Sequence, residues 1–301
     1  MDAPHMIWAA NLPPLRRPLL VVALNGFVDA AHNARQAASF LRSRWEAEQI
    51  GQLDADVFID YRDRRPMADV EDGLLRQIHM PKLELWAAQT LDADRDVVFL
   101  TGPEPDIQWG AFSRTIQAAC RRLGVSRMLL LDAYPGMSPH TRDLRLLGVR
   151  NQVADGIPEE VAIVADYQGP IGAGHFLIGE MEYLNIPAWG ISAELPPYVA
   201  GDRYPAAVLR LVEFVATFLG VTIDTTQLKN NVEAMTAQLD RSIEARPMIA
   251  ELIERLEEHT DDPEATGFTL PSGDQLAAEI QQYFANPEGH GPAPGENGGD
   301  Y

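Results

Sequence analysis

Residues Pro18-Leu-Leu-Val-Val-Ala-Leu24 form a nearly continuous apolar run that ends at Asn25-Gly26. A strand of this composition is typical of the interior of a parallel sheet, where helices cover both faces. Directly after it, Asp29 can cap a helix whose small apolar residues recur every three or four positions as far as Trp45. A buried strand that leads into an amphipathic helix is the building unit of α/β proteins. This stretch therefore predicts an α/β fold.

The same alternation of apolar runs and amphipathic helices continues through the first 222 residues. The predicted strands are 55–60, 127–132 and 187–192, with weaker candidates at 144–149 and 161–165. The predicted helices are 107–123, closed by Gly124, then 171–184 and 204–219. Residues 82–86 and 96–101 flank a turn and predict an antiparallel hairpin. We expect a mostly parallel sheet flanked by helices, with this hairpin as its antiparallel part.

The distribution of charge divides the chain near residue 222. The sequence has 24 Lys and Arg against 44 Asp and Glu, a net charge of −20, and residues 224–301 alone hold 4 basic and 16 acidic residues. A last stretch rich in Gly and Pro predicts disorder at the end of the chain. The predicted segments are an N-terminal arm at 1–17, an α/β domain at 18–222, an acidic helical appendage at 223–285 with a short last helix at 274–284, and a disordered tail at 286–301.

The acidic appendage carries a seam of apolar residues at seven-residue spacing. Pro247 divides the pattern into two helices, since proline ends or kinks a helix. These side chains gain stability from burial, either between subunits or against the chain's own α/β domain, and the sequence leaves both options open. On this basis we expect a homo-oligomer. The packing seam consists of Leu228, Val232, Met235, Leu239, Ile249, Ile253 and Leu256.

Composition excludes several classes of function. A strongly acidic chain repels phosphate backbones and anionic membrane surfaces, so we expect neither nucleic acid nor a membrane as partner. The single cysteine, Cys120, cannot form an internal disulfide or a thiolate cluster, and its helical register predicts a buried, unreactive thiol. The seven histidines include no His-x-x-x-His pair. We therefore expect no metal, no cofactor and a cytoplasmic location.

Polar residues follow the predicted strands at the edge where open α/β sheets bind ligands. They supply carboxylate, imidazole and guanidinium groups, a set suited to phosphate or sugar binding with acid–base chemistry. In that case Arg142 would bind an anion, and Glu194 would contact a sugar or transfer a proton. Solvated surface loops are the competing interpretation, because such loops are polar in any protein. The candidate cleft consists of Asn25, Gly26, Phe27, Glu104, Asp106, His140, Arg142, Glu194 and Tyr198.

The glycine-rich segment Gly169-Pro-Ile-Gly-Ala-Gly174 precedes one of the predicted helices. Backbone amides at a helix start attract anions, and small residues also allow a helix to pack closely on a sheet. Neither the dinucleotide fingerprint nor the phosphate-binding loop of nucleotide hydrolases occurs in the chain. Close packing is therefore the favoured interpretation of this segment.

Several segments, taken in their order and spacing, resemble the bacterial branch of the proteasome assembly chaperone 2 family. The resemblance covers about residues 15–219 and implies an α/β sandwich with a phosphorylase-like topology. For eukaryotic and archaeal members it implies binding to proteasome subunits during assembly, so it also implies proteasome subunits as partners here. The segments are Leu19-Leu-Val-Val-Ala-Leu-Asn-Gly-Phe-Val-Asp-Ala-Ala31, Gly102-Pro-Glu-Pro-Asp106 with Trp109, Pro139-His-Thr-Arg142 and Pro197-Tyr198-Val199.

The leading hypothesis is a non-catalytic, chaperone-like binding protein with an oligomeric α/β body. One alternative is a phosphorylase-like or ligase-like enzyme that binds a nucleoside or phosphate ligand at the strand ends, an idea that rests on fold analogy. A second alternative is a structural scaffold. An ordered anion or nucleotide at the strand ends would favour the enzyme, whereas association with proteasome subunits in a pull-down would favour the chaperone.

Overall fold

The computed structural model describes residues 3–90, 92–199, 201, 203–244 and 247–261. These residues belong to one compact unit, Met1–Asp261. The predicted helix at 274–284 and the predicted tail at 286–301 lie outside the described residues.

Within the described residues, the strands form one nine-stranded sheet and one separate two-stranded hairpin. The order in the large sheet is β1-β3-β6-β7-β2-β8-β11-β9-β10, and the hairpin pairs β4 with β5. The strands are β1 Met6–Trp8, β2 Leu19–Asn25, β3 Glu48–Leu53, β4 Met67–Glu71, β5 Leu74–His79, β6 Glu84–Ala88, β7 Val97–Pro103, β8 Arg127–Pro135, β9 Leu146–Arg150, β10 Ile163–Val164 and β11 Ala188–Leu195.

The sheet is mixed, which corrects the prediction of a mostly parallel sheet. The four central strands β7, β2, β8 and β11 are parallel to one another. On one side β1, β3, β6 and β7 pair antiparallel, and on the other side β9 runs antiparallel to β11. Parallel neighbours need a long crossover, usually a helix, whereas short connections return antiparallel. The predicted hairpin is confirmed as β6 and β7, and the antiparallel part extends beyond it.

Seven helices among the described residues surround the sheet, and none of them is long and apolar enough to cross a membrane. On one face α1 and α5 cover the sheet, and on the other face α3 and α4 do so. The helices are α1 Asn33–Arg44, α2 Ala55–Phe58, α3 Trp109–Leu123, α4 Ala173–Glu180, α5 Pro205–Leu219, α6 Thr226–Glu244 and α7 Pro247–Asp261.

Strand β2 lies at the centre of the core, as its composition predicts. Leu19, Val21 and Ala23 pack on the face covered by α1 and α5. Leu20 and Val22 point to the opposite face, because side chains alternate along a strand. The N-cap position of α1 is His32 and not Asp29 as predicted, yet the Asp29 carboxylate accepts hydrogen bonds from two backbone amides in the first turn of α1 at 2.8 and 3.3 Å.

The predicted strand at 55–60 is wrong, because Ala55–Phe58 forms the short helix α2. Asp54 caps this helix, and its side chain accepts a hydrogen bond from the backbone amide of Asp56. A local cap of this kind competes with strand pairing. The strand of this region, β3, lies just before it at Glu48–Leu53.

Candidate functional site

Glu104 lies at the carboxyl end of the parallel strands and joins three segments of the chain. It follows β7, and its backbone amide donates to the carbonyl of Asn25 at the end of β2 (2.9 Å). Its carboxylate accepts from the backbone amide of Phe27 at 2.8 Å and from that of Ala173, the first residue of α4. This carboxylate therefore occupies the start of α4, which is the place where the glycine-rich segment could otherwise bind an external anion.

Asp106, a second acidic residue of the predicted cleft, anchors the polar loop after α2. Its carboxylate accepts from Arg64 Nε at 2.7 Å and from the backbone amide of Asp60 at 3.0 Å. Arg64 also donates to the carbonyl of Asn25 at 3.4 Å. Asn25, Glu104 and Asp106 thus belong to one network, in which each acidic group has a partner from the chain itself.

Glu194 is the centre of a separate network in β11. Only 1% of its surface is exposed, and it forms an ion pair with Arg145, Nε to Oε2, at 2.7 Å. It also accepts from the Ser138 hydroxyl and from the backbone amide of Met137, both at 2.9 Å. Arg145 is a residue that sequence reasoning missed. A glutamate within a buried strand requires a cation from a neighbouring segment, and that requirement could have identified it.

His140, Arg142 and Tyr198 connect the α/β body to the acidic helices. His140 Nδ1 lies 2.6 Å from the Tyr198 hydroxyl. Arg142 donates two hydrogen bonds to Asp261 in α7, at 2.9 and 2.7 Å. These bonds raise the pKa of Arg142 and lower that of Asp261. Arg142, which sequence analysis considered as an anion-binding residue, is thus paired with an acidic residue of the same chain.

Contacts to the acidic helices continue on both sides of Arg142. His140 Nε2 lies 3.2 Å from Asp240 in α6, and the Thr141 hydroxyl donates to Glu257 in α7. Among the described residues, no side-chain hydrogen bond or ion pair joins this network to those of Glu104 and Glu194. The structure therefore distributes the predicted cleft over three networks.

Gly26 and Gly136 sit directly beside the two buried glutamates. A Cβ atom at Gly26 would overlap the side chain of Glu104, and one at Gly136 would overlap that of Glu194. Both glycines are therefore needed for the close approach of backbone and carboxylate.

A further group of titratable side chains, which sequence analysis did not identify, lies behind Glu104. Asp132 in β8 is 5% exposed, and its carboxylate lies 3.5 Å from His175 Nδ1. Burial, together with the charges of Asp29 and Glu104, raises the pKa of Asp132 well above its usual range. Burial likewise raises the pKa of Asp29 to about 6. No group of three or more acidic, His or Cys side chains in the described part of the chain is placed to hold a metal ion.

The hairpin of β4 and β5, which sequence analysis did not predict, exposes large apolar side chains to solvent. Every residue of both strands is exposed, so neither face of the hairpin packs on the body. We call β4, β5 and the following Met80 the exposed hairpin. Its large apolar side chains are between 41% and 70% exposed, and they are Met67, Val70, Leu74, Leu75, Ile78 and Met80.

The packing seam lies against the chain's own body. Leu228 in α6 belongs to the core beneath α5, and Met235 and Leu239 pack partly against the same core. In α7, Ile253 and Leu256 are buried. Val232 and Ile249 are partly buried.

Cys120 is also buried, which raises the pKa of its thiol to about 12.

Comparison with known proteins identifies the class to which this mixed α/β fold belongs. Residues 23–243 match the model of the PAC2 family. The match spans well over half of the chain, and the protein therefore belongs to the PAC2 family. Among curated proteins, no sequence matches this chain.

Solved structures of bacterial proteins share the fold over most of their length. A Corynebacterium glutamicum protein of unknown function is 26% identical, with a TM-score of 0.80, over 87% of this chain and 98% of that chain. A Mycobacterium tuberculosis proteasome-assembly chaperone homologue is 27% identical, with a TM-score of 0.72, over 78% and 99%. A PAC2 family protein from Streptomyces avermitilis is 26% identical, with a TM-score of 0.69, over 78% and 99%.

Proposed function

We propose that this protein is a non-catalytic, chaperone-like binding protein that holds a protein partner on its exposed hairpin. Membership of the PAC2 family and the similarity to a proteasome-assembly chaperone homologue support a chaperone-like role. The observation that carries the proposal is the apolar surface of the hairpin. An isolated two-stranded hairpin is only marginally stable in water, and burial of apolar area contributes about 25 cal/mol per Å². A partner that covers these side chains would therefore stabilise both itself and the hairpin.

Proteasome subunits are the partners we propose, because the similar Mycobacterium tuberculosis protein is named a proteasome-assembly chaperone homologue. A second copy of the chain is the competing occupant, in line with the expected homo-oligomer. The packing seam supports this oligomer less directly than the hairpin does, since its side chains already have intramolecular contacts.

The enzyme alternative finds less support in the geometry of the strand ends. Glu104 and Glu194 accept hydrogen bonds from several backbone and side-chain donors, and Arg142 is paired with Asp261. These contacts are typical of side chains that hold segments together. A purely structural scaffold, in turn, would not explain why the hairpin exposes apolar side chains to solvent.

The experiment compares partner binding by three forms of the full chain. The hairpin variant carries Leu74→Ser, Leu75→Ser and Ile78→Ser, and the control carries Val164→Ser, an apolar residue that is 68% exposed in β10. Binding to purified proteasome subunits of the same organism is measured by biolayer interferometry, and subunit number by light scattering. We expect the hairpin variant to lose affinity at least about tenfold, since each anchor at a protein interface is worth more than 1 kcal/mol. The control should bind like the wild type.

Two results would contradict the proposal. Equal affinity of the hairpin variant and the wild type would show that the partner binds elsewhere. No binding of the wild type to any subunit, together with a homo-oligomer that the hairpin variant dissociates, would replace the proteasome by a second copy of the chain.

A further inference from the structure

A cleft of about 650 Å³ lies beside the carboxyl ends of β2 and β7 and collects basic side chains. Asn25, Thr101 and Gly102 line it on the side of the sheet, and Met67 and Ile78 line it on the side of the exposed hairpin. Glu84 is the one carboxylate among its described lining residues. The basic lining residues, besides His79, are Arg35, Arg42, Arg64, Arg65 and Lys82.

Part of this positive charge has no ion-pair partner, although the charges of Arg35 and Asp29 interact, and so do those of Arg42 and Glu84. Arg64 is paired with Asp106, as described above. Arg35, Arg65 and Lys82 form no side-chain hydrogen bond or ion pair within the described part of the chain. On a chain with a net charge of −20, such a concentration of unpaired cations on one surface requires a specific explanation.

Arg42 is held rigidly and has an unused donor. Its guanidinium lies 3.6 Å from the centre of the Trp86 ring, and Nη1 donates to the Thr101 hydroxyl at 3.1 Å. Its Nε atom is buried without a hydrogen-bond partner among the described residues. A buried donor without a partner is unfavourable, and such groups are more common at functional sites than elsewhere in a protein.

We propose that this cleft binds a small molecule that carries two or more phosphate groups. Arginine presents donors in a planar fork that matches the oxygens of a phosphate, and several such residues around one space suit linked phosphates. The volume lies within the range of small-ligand pockets and leaves room for a further, less polar part of the ligand beside Met67 and Ile78. A nucleic acid polymer fits poorly, because a chain with a net charge of −20 repels an extended polyanion.

The proposal is independent of the protein partner and differs from the anion site expected at Arg142. Its basic side chains do not belong to the candidate cleft that sequence analysis defined. Their ability to bind an anion follows from their missing partners, whereas Arg142 already has two acidic neighbours.

Titration calorimetry on the full chain tests the proposal, with inorganic pyrophosphate and ATP as probes and citrate as a carboxylate comparison. The cleft variant is Arg65→Met with Lys82→Met. The matched control is Arg62→Met with Arg76→Met, two exposed arginines that do not line the cleft. We expect one binding site per chain for both phosphate probes, at least about tenfold weaker binding in the cleft variant, and unchanged binding in the control. Circular dichroism should show the same melting curve for the cleft variant and the wild type, because neither substituted side chain has a hydrogen-bond or ion-pair partner among the described residues.

Three outcomes would overturn the inference. The absence of binding heat for both phosphate probes would show that the cleft is not a phosphate site. Equal binding by the cleft variant would place the anion elsewhere. Binding of citrate as tight as that of pyrophosphate would show that the cleft recognises negative charge and not phosphate. Leu74→Ser with Leu75→Ser separates the two proposals, because neither residue lines the cleft: this variant should lose partner binding and keep phosphate binding.

Discussion

Replacement of Glu194 by Gln is the sharpest test of the view that the strand-end carboxylates stabilise the fold. The substitution keeps the size of the side chain and removes its charge. In the wild type, the two carboxylate oxygens accept four hydrogen bonds, two of them from Arg145. Glutamine offers one oxygen, and its amide group faces donors that it cannot satisfy.

The expected loss of stability follows from the burial of the pair. The loss of one partner of a buried ion pair costs about 3–5 kcal/mol. The lower end applies here, because the Arg145 side chain remains 20% exposed and can turn toward water. We therefore expect Glu194→Gln to lower the free energy of unfolding by about 3 kcal/mol, or the Tm by about 6–10 °C.

Guanidinium unfolding followed by tryptophan fluorescence measures this loss. Asp60→Asn is the control, since it removes an ion pair to Arg62 whose side chain is 89% exposed, and we expect no measurable change there. A midpoint for Glu194→Gln within error of that control would refute the argument. Glu194 would then be free for the chemical role that the sequence offered.

The remaining predictions concern three other parts of the molecule. Burial raises the pKa of Asp29 to about 6 and that of Asp132 well above its usual range, so the folded state keeps protons that the unfolded state has already lost above about pH 4. The free energy of unfolding of the wild type should therefore fall as the pH rises through about 6. Unfolding experiments at several pH values should show a smaller fall for Asp132→Asn, and an equal fall in both proteins would contradict this prediction. The Cys120 thiol, whose pKa is raised to about 12, should not react with a thiol-specific dye until the protein is unfolded, and rapid labelling at neutral pH would disprove its burial. Replacement of residues 67–79 by a Gly-Ser linker should leave the Tm unchanged, because no residue of β4 or β5 is buried, and a clear fall in Tm would reveal contacts with the body.

The sequence predicted the centre of the fold well, because a strand buried on both faces must be apolar at every position. Leu19 and Leu20 point to opposite helical layers, and the continuous apolar run of β2 reflects that geometry. The edges were harder to predict. Residues 55–60 have the composition of a strand, yet the Asp54 cap forms a helix there. The exposed hairpin lacks the buried face on which pattern recognition depends.

For the candidate site, sequence patterns place polar residues near the ends of strands and do not predict which side chains these residues contact. Glu104, His140, Arg142 and Glu194 all follow or end strands, as expected. Whether such a carboxylate is free depends on partners far along the chain. Arg145 is separated from Glu194 by 49 positions, and Asp261 is separated from Arg142 by 119. Spacing within one motif contains no information on these pairs.

The close fit of two glycines against two glutamates restricts how this protein can diverge in evolution. Gly26 and Glu104 share one small volume, and so do Gly136 and Glu194. Any larger residue at either glycine displaces a carboxylate and leaves the donors around it without an acceptor. A substitution at either glycine is therefore tolerated only if the paired glutamate has already been replaced by a shorter residue or is replaced at the same time. Across lineages, these positions should drift as two coupled pairs, each of which changes as a unit.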